Sequence, residues 1–342
     1  MKKILLDCRY LGMSGIGRVL EGYIFASLQE KEYEFYYLGK KELLQGFSID
    51  EKYILQDETY PVSKKGLFIT KRVNSFDLFI IPNFIIPFGV KIPVFTLIHD
   101  LMFLDFEQTT NGFFDKKIKL YFYKRCIKKS KCIFTVSNFT KDRIKHHFKK
   151  VKCDIKVVYN GLSQSIRNYD RTTKEKQPYL IFVGNIKKQK GLPILLDALA
   201  QVDYNLYIVG NKDNFRTKDE SVLNRITNNP QITFTGKIDD MKLYSLISEA
   251  SYLIQPSLYE GFGLPPLEAL YLGTKPIISD IPVFKEIYKD LDVEFFKSED
   301  SDALVKVIQR KPNVIPEPLD SAVLQKYSFE EAFKIILGEL KK

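Results

Sequence analysis

Gln255-Pro-Ser-Leu-Tyr-Glu260-Gly-Phe-Gly-Leu-Pro-Pro-Leu-Glu268-Ala-Leu-Tyr-Leu-Gly273 reads as a strand, a glycine loop and a helix in direct succession. The apolar run Tyr252 to Gln255 has strand length, and Pro265 and Pro266 suit the first turn of a helix, where a missing N–H is harmless. The amides of Phe262, Gly263 and Leu264 are therefore expected at a helix N-terminus, a geometry that attracts phosphate. Two carboxylates flank the turn, Glu260 in the loop and Glu268 in the first helical turn. A carboxylate accepts paired hydrogen bonds from vicinal hydroxyls, which makes Glu268 a candidate ribose reader and Glu260 a candidate reader of sugar hydroxyls. Taken singly, Glu268 reads as well as a helix-dipole residue and Glu260 as a solvated one.

A second unit of the same kind is Tyr179-Leu-Ile-Phe-Val-Gly184-Asn-Ile-Lys187-Lys-Gln-Lys190-Gly191-Leu-Pro. Its glycine-containing basic loop makes Lys190 a candidate to neutralise a diphosphate, with a solvated turn lysine as the plainer alternative. Outward from these two units the same rhythm runs along the whole chain. In the first half, strands are expected at Lys3–Asp7, Glu34–Leu38, Asp77–Ile81, Val94–Ile98, Cys132–Val136 and Ile155–Val158. In the second they are expected at Tyr179–Val183, Asn205–Val209, Ile232–Thr235, Tyr252–Gln255, Pro276–Ser279 and Val293–Phe296. Helical segments separate most of them, the signature of an α/β protein with largely parallel sheets.

The 342 residues suffice for two domains that each bury a core. The polar, aperiodic stretch Ser163 to Gln177 is the expected linker, so domains are expected at 1–165 and 166–326. Ser328-Phe-Glu-Glu331 is a capping box, and it opens a last helix, 327–342, with Phe329, Ala332, Phe333, Ile336, Leu337 and Leu340 on one stripe. That stripe needs a cover.

Composition is 45% hydrophobic and 27% charged, close to the soluble average. Met1-Lys-Lys is followed by only three apolar residues before Asp7, so no export signal is expected. The apolar region 76–98 is interrupted by Pro82, Asn83, Pro87, Lys91 and Pro93 and reads as buried strands rather than a membrane span. The four cysteines lack CxxC spacing and suit a reducing cytosol. No metal-ligand spacing is found, and Asp239-Asp240 reads as a helix N-terminus. Net charge is +10, which favours an anionic partner. A nucleic acid is not expected, because no basic strip interleaved with stacking aromatics accompanies that charge.

In the first half, Gly12-Met-Ser-Gly15-Ile-Gly17-Arg18 follows a strand without dinucleotide spacing and reads as an anion-contacting loop. His99-Asp100 ends the strand Val94–Ile98, at the carboxyl end where open α/β sheets place ligands. The helix expected over 113–131 carries Phe114, Ile118, Tyr121 and Phe122 on one side, with Lys116, Lys117, Lys119, Lys124, Arg125, Lys128 and Lys129 around it. It suits an anionic membrane surface as well as a helix packed on its own sheet with a solvated basic face.

Together these residues resemble glycosyltransferase family 4, over nearly the whole chain. The resemblance rests on Glu260-Gly-Phe-Gly-Leu-Pro-Pro-Leu-Glu268 as an E-x7-E motif and on the Val183-Gly184 to Lys190-Gly191 loop. Ser137 in Thr-Val-Ser-Asn-Phe, Asn160-Gly161, Gly15-Ile-Gly17-Arg18 and His99-Asp100 add to it. It implies a GT-B fold of two Rossmann-like domains facing across a cleft, an acceptor-binding N-terminal domain and a donor-binding C-terminal domain. The last helix would cross back to the N-terminal domain. It further implies a retaining, metal-independent transferase without a cofactor, acting on a nucleotide-diphosphate sugar.

By resemblance, Glu268 binds the ribose, Glu260 the donor sugar, Lys190 the diphosphate and His99 the reacting sugar or its phosphate. His99 and Glu260 are thus the expected catalytic pair. Gly15, Gly17, Gly184, Lys190, Glu260, Gly261, Phe262, Gly263, Leu264 and Glu268 are the expected donor contacts. The acceptor would be a glycan or lipid-linked sugar of bacterial surface polysaccharide, met in the cytoplasm or at the inner face of the membrane. One departure is Asn185, which stands where many members carry an arginine and leaves Lys187, Lys188 or Arg18 to supply the second phosphate charge. The motif admits UDP, GDP and dTDP sugars. A GT-B epimerase and a non-catalytic nucleotide-sugar or polyanion binder are the alternatives, and the E-x7-E loop weighs against the first.

Overall fold

The computed structural model describes residues 1–106, 113–171, 175–211 and 220–342. The chain forms two compact units. The first comprises Met1–Leu101, Gly112–Ser163 and Gln325–Lys342; the second comprises Met102–Asn111 and Gln164–Leu324.

The first unit holds strands β1 (Lys2–Asp7), β2 (Tyr33–Gly39), β3 (Ile54–Gln56), β4 (Leu78–Ile81), β5 (Val94–Ile98), β6 (Ser130–Thr135) and β7 (Asp154–Val157). They form one seven-stranded sheet in the order β3-β2-β1-β4-β5-β6-β7. Every pairing is parallel, as in Leu5 opposite both Tyr36 and Phe79. Because β1 winds to β2 and β3 on one side while β4 to β7 lie on the other, the strand order reverses between β1 and β4. β4 and β5 are buried on both faces, which is why they are continuous buried runs, apolar but for Thr96, rather than alternating ones. Region 76–98 thus holds the two buried strands β4 and β5, as expected, joined by the connection 82–93, and no helix among the described residues is long and apolar enough to cross a membrane. Strand β3 was not expected. At three residues on the sheet edge, with none of them buried, it leaves no periodicity to read.

The last helix, Phe329–Leu340, is capped by the Ser328 hydroxyl, which accepts the Glu331 N–H at 3.1 Å. Its stripe packs on the helix Ser14–Leu28 within the first unit. Tyr23 meets Phe329 edge-on at 5.9 Å, and Phe333 lies 5.6 Å from Phe35. Gly22 admits the Phe329 ring, since a Cβ there would lie 2.2 Å from it. Gly161 serves the same junction, with a Cβ position 2.5 Å from the Phe329 nitrogen. Phe329 and Phe333 are both 2% exposed, and burying such a ring stabilises by about 1.5–3 kcal/mol.

The second unit holds β8 (Gln177–Val183), β9 (Asn205–Val209), β10 (Ile232–Gly236), β11 (Ala250–Gln255), β12 (Lys275–Ser279) and β13 (Glu294–Phe296). Their order is β10-β9-β8-β11-β12-β13, again all parallel, with the reversal between β8 and β11. Its core gathers Leu180, Phe182, Ile208, Tyr252 and Ile254 from the sheet with Leu195, Leu199 and Leu304 from the covering helices. The expected linker contains a short helix, Gln164–Arg167, that belongs to this unit. Asp239 caps the helix Asp240–Glu249 by accepting the Lys242 N–H at 2.9 Å.

Candidate functional site

In the second unit, β8 and β11 lie side by side, Leu180 opposite Tyr252 and Ile181 opposite Leu253. Both run the same way, so the loops that leave their carboxyl ends, 184–191 and 256–263, emerge together where the strand order reverses. That is the place where open α/β sheets bind ligands. The two loops are locked to each other through backbone. The Gln189 carbonyl accepts the N–H of Leu258 at 2.8 Å and of Tyr259 at 3.4 Å. Gly191, at φ +65°, sits so close that a Cβ would lie 1.9 Å from the Pro256 oxygen.

Beyond the second loop, Gly263 takes φ +84° and caps the helix Leu264–Tyr271. Its Cβ position falls 2.4 Å from the Phe284 ring, so both conformation and space require glycine. Pro265 and Pro266 carry no N–H, which confines the first turn's outward donors to the loop end and Leu264. Glu268 is 5% exposed and is the fifth residue of this helix, one position past the first turn in which the spacing placed it.

The Lys190 ammonium donates to Glu260 Oε1 at 2.5 Å, in an ion pair whose side chains are 18% and 12% exposed. The same oxygen accepts the Ser257 hydroxyl at 2.8 Å and the Gln255 amide at 3.5 Å. Gln255 also donates to Ser257 Oγ at 3.0 Å, and both residues are fully buried. Oε1 is therefore saturated, whereas Glu260 Oε2 makes no hydrogen bond among the described residues and keeps its acceptor capacity. Two residues expected to contact different parts of a donor are thus a single charged pair. Asn185 Oδ1 accepts the Asn211 N–H at 3.1 Å, so this side chain ties its loop to the one after β9.

In the first unit, His99 follows β5 and its Nε2 lies 2.9 Å from the Pro82 carbonyl. A carbonyl only accepts, so Nε2 carries the proton and Nδ1 keeps its lone pair. Burial pushes the imidazole down to about 4, against the opposing Pro82 bond, and the ring is neutral at physiological pH. The carbonyl of His99 accepts the Thr140 hydroxyl at 3.2 Å. Gly15 and Gly17 lie in the first turn of the helix Ser14–Leu28. A Cβ on Gly15 would meet nothing within 4 Å, whereas one on Gly17 would crowd the Gly12 nitrogen and Tyr10 oxygen at 3.0 Å. Gly17 is thereby explained by packing. Asp7 and Arg9, at the carboxyl end of β1, form a bidentate pair at 2.8 and 2.7 Å, each side chain 1% exposed.

The basic helix Phe113–Lys129 turns Tyr123, Cys126 and Ile127 inward. Ile118 and Tyr121 face outward at 56% and 52% exposure, beside Lys117, Lys124 and Lys128. Phe114 lies outside the described side chains. Among the described residues no three His, Cys, Asp or Glu side chains gather as a metal-binding group.

Two family models match adjoining stretches of the chain: Glycosyltransferase Family 4 over residues 71–165 and Glycosyl transferases group 1 over residues 166–311. The chain belongs to glycosyltransferase family 4. The O-antigen chain mannosyltransferase RfbU of Salmonella typhimurium is 28% identical over 245 residues, 68% of this chain and 69% of that protein. Sucrose-phosphate synthase from Thermosynechococcus elongatus superimposes with TM-score 0.72 at 16% identity, covering 100% of this chain and 98% of that one. Anabaena HepE, solved with UDP and glucose, gives the same TM-score and identity over 100% of both chains. These likenesses and the two parallel sheets establish the two-domain Rossmann-like GT-B fold.

For this glycosyltransferase, sequence reading passed over Ser257, Gln255, Asp7 and Arg9. Gln255 and Ser257 stand inside the motif segment, but a hydroxyl and an amide carry no signal until they are seen on the same oxygen as Lys190. Asp7 and Arg9 offered a readable cue, two opposite charges directly after the apolar run of β1.

Proposed function

We propose that this enzyme transfers a hexosyl group, with retention of configuration, from a nucleoside diphosphate sugar to an acceptor hydroxyl in bacterial surface polysaccharide synthesis. The observation that carries this reading is the Lys190–Glu260 pair beside the Gly263 turn, at the strand reversal of the second unit. The loop end and the ammonium supply positive potential for a diphosphate, and Glu260 Oε2 remains to accept a sugar hydroxyl. Glu268 is assigned to the ribose, at the buried side of the same helix. As the bond from anomeric carbon to leaving oxygen breaks, the acceptor oxygen attacks from the same face and its proton passes to the departing diphosphate. No covalent enzyme intermediate and no metal is needed in this scheme.

His99 is assigned to the reacting sugar, where its Nε2–H is committed to Pro82 and its Nδ1 can accept a hydroxyl hydrogen bond. The names of the relatives, with an O-antigen mannosyltransferase among them, make a mannosyl donor the first to test. Thermal unfolding with UDP, GDP, dTDP and NAD tests the donor site, because a ligand bound only to the native state raises its melting temperature. One nucleoside diphosphate is expected to stabilise the enzyme and to lose its effect in Glu268→Ala. Stabilisation by NAD alone, or by none, removes the reading.

The exposed Ile118 and Tyr121 amid lysines support attachment to an anionic bilayer, such as the inner face of a cell membrane, where a lipid-linked acceptor would be met. Co-sedimentation with anionic vesicles at low salt, lost with neutral ones, is the expected result.

A further inference from the structure

We propose that a cavity in the first unit, at the carboxyl ends of β2 and β3, is an acceptor subsite for a hexose that bears an anionic group. The inference rests on the transferase reading and names the chemistry of its acceptor. The cavity measures about 460 Å³. Leu38, Leu55 and Val73 give it an apolar floor, while Asp57, Arg72 and Phe68 stand on its rim. It opens on the same edge of the parallel sheet as His99, because both follow carboxyl ends of strands.

Three features of the rim point to one chemistry. The Arg72 side chain is exposed and its guanidinium makes no ion pair or hydrogen bond among the described residues. A planar guanidinium unpaired among these residues suits a phosphate or carboxylate. Asp57 uses Oδ1 to accept both the N–H and the hydroxyl of Thr59, which leaves Oδ2 for a ligand hydroxyl. Phe68 is 67% exposed, yet it does not stand loose. Its ring stacks on Phe88 at 5.3 Å and 26°, and Phe88 is covered by the Arg125 guanidinium at 4.6 Å. An aromatic face fixed in water at a cavity mouth, beside a hydroxyl acceptor and a free cation, matches a pyranose ring with one negative substituent. A neutral sugar leaves Arg72 unused, and a bare anion leaves Asp57 and Phe68 unused.

Titration calorimetry of the full chain with N-acetylglucosamine 1-phosphate, glucuronic acid, methyl glucoside and inorganic phosphate tests this. The sugar phosphate or the uronate is expected to bind at least about tenfold more tightly than the neutral glycoside or phosphate alone. Preference for the phosphate identifies a phosphate-linked acceptor, and preference for the uronate an acidic glycan. R72Q should weaken the charged sugar about tenfold and leave the neutral glycoside unchanged, and F68A, which removes an exposed ring, should weaken both sugars. Equal binding of charged and neutral sugars, no binding of either, or indifference to R72Q overturns the subsite. The nucleotide-dependent melting shift, measured on the same preparations, separates the two readings: if it persists while the charged sugar fails to bind, the transferase assignment stands and the subsite falls.

Discussion

The two units wind their sheets alike, with strand order reversing between β1 and β4 in one and between β8 and β11 in the other, yet they furnish that reversal differently. At β8/β11 the functional groups come from two short loops whose backbones touch, with Gly191 against Pro256 and Gln189 bonded to Leu258. Lys190, Glu260, Ser257 and Gln255 then form one hydrogen-bonded knot. In the first unit the candidate groups are scattered over 57, 68, 72 and 99; Asp57, Phe68 and His99 are each held by a separate partner, and the Arg72 side chain has none among the described residues. A site that positions charge against a fixed diphosphate gains from rigidity, since preorganised donors need not reorient as charge develops. A site that receives a variable acceptor has no such demand.

The comparison is sharpest where it predicts loss of activity without loss of fold. Glu260→Ala removes the carboxylate that holds Lys190 and that the proposed function assigns to the donor. Transfer, as kcat/KM, should fall about a thousandfold, or roughly 4 kcal/mol, while the chain still folds with a melting temperature lowered by the acceptor that Lys190, Ser257 and Gln255 lose. An unaltered rate would break the assignment of this pair to the donor.

His99 makes the next largest difference, and it concerns stability. Burial lowers its pKa in the folded protein, so between about pH 6.5 and pH 4 the unfolded chain binds the proton that the native chain refuses. The contribution of the neutral ring is therefore complete above about pH 6.5 and is lost as pH falls toward about 4, amounting to about 2 kcal/mol between about pH 7 and pH 4.5. His99→Gln should flatten the acid limb of the stability curve by that amount in denaturant titrations. An unchanged limb would mean that the ring is better solvated than its contact with Pro82 implies.

Ser257→Ala is the smallest change. It removes one of the donors on Glu260 Oε1 while Lys190 stays, so kcat/KM should fall about tenfold, near 1.4 kcal/mol, chiefly in kcat. Ser257→Thr restores the hydroxyl and should recover most of the rate. Equal losses in both variants would point to packing rather than to the hydrogen bond.

The legibility of the two units differs for the same physical reason. Tyr179 to Gly191 and Gln255 to Gly273 each encode strand, turn and helix in consecutive residues, because left-handed φ at Gly191 and Gly263 and prolines in a first helical turn are local requirements. The parallel α/β class, the glycine turns and the capping box at Ser328 were decided by the sequence in that sense. The stripe of Phe329 and Phe333 announced that a cover was needed, but only folding showed that Tyr23, Phe35 and the backbone at Gly22 and Gly161 provide it. Likewise sequence named Lys190 and Glu260 separately, and tertiary structure made them partners, 70 residues apart, on one oxygen. Backbone conformation is set by neighbours in the chain, whereas a hydrogen bond or a packed ring is set by neighbours in space, and only the completed sheets bring those together.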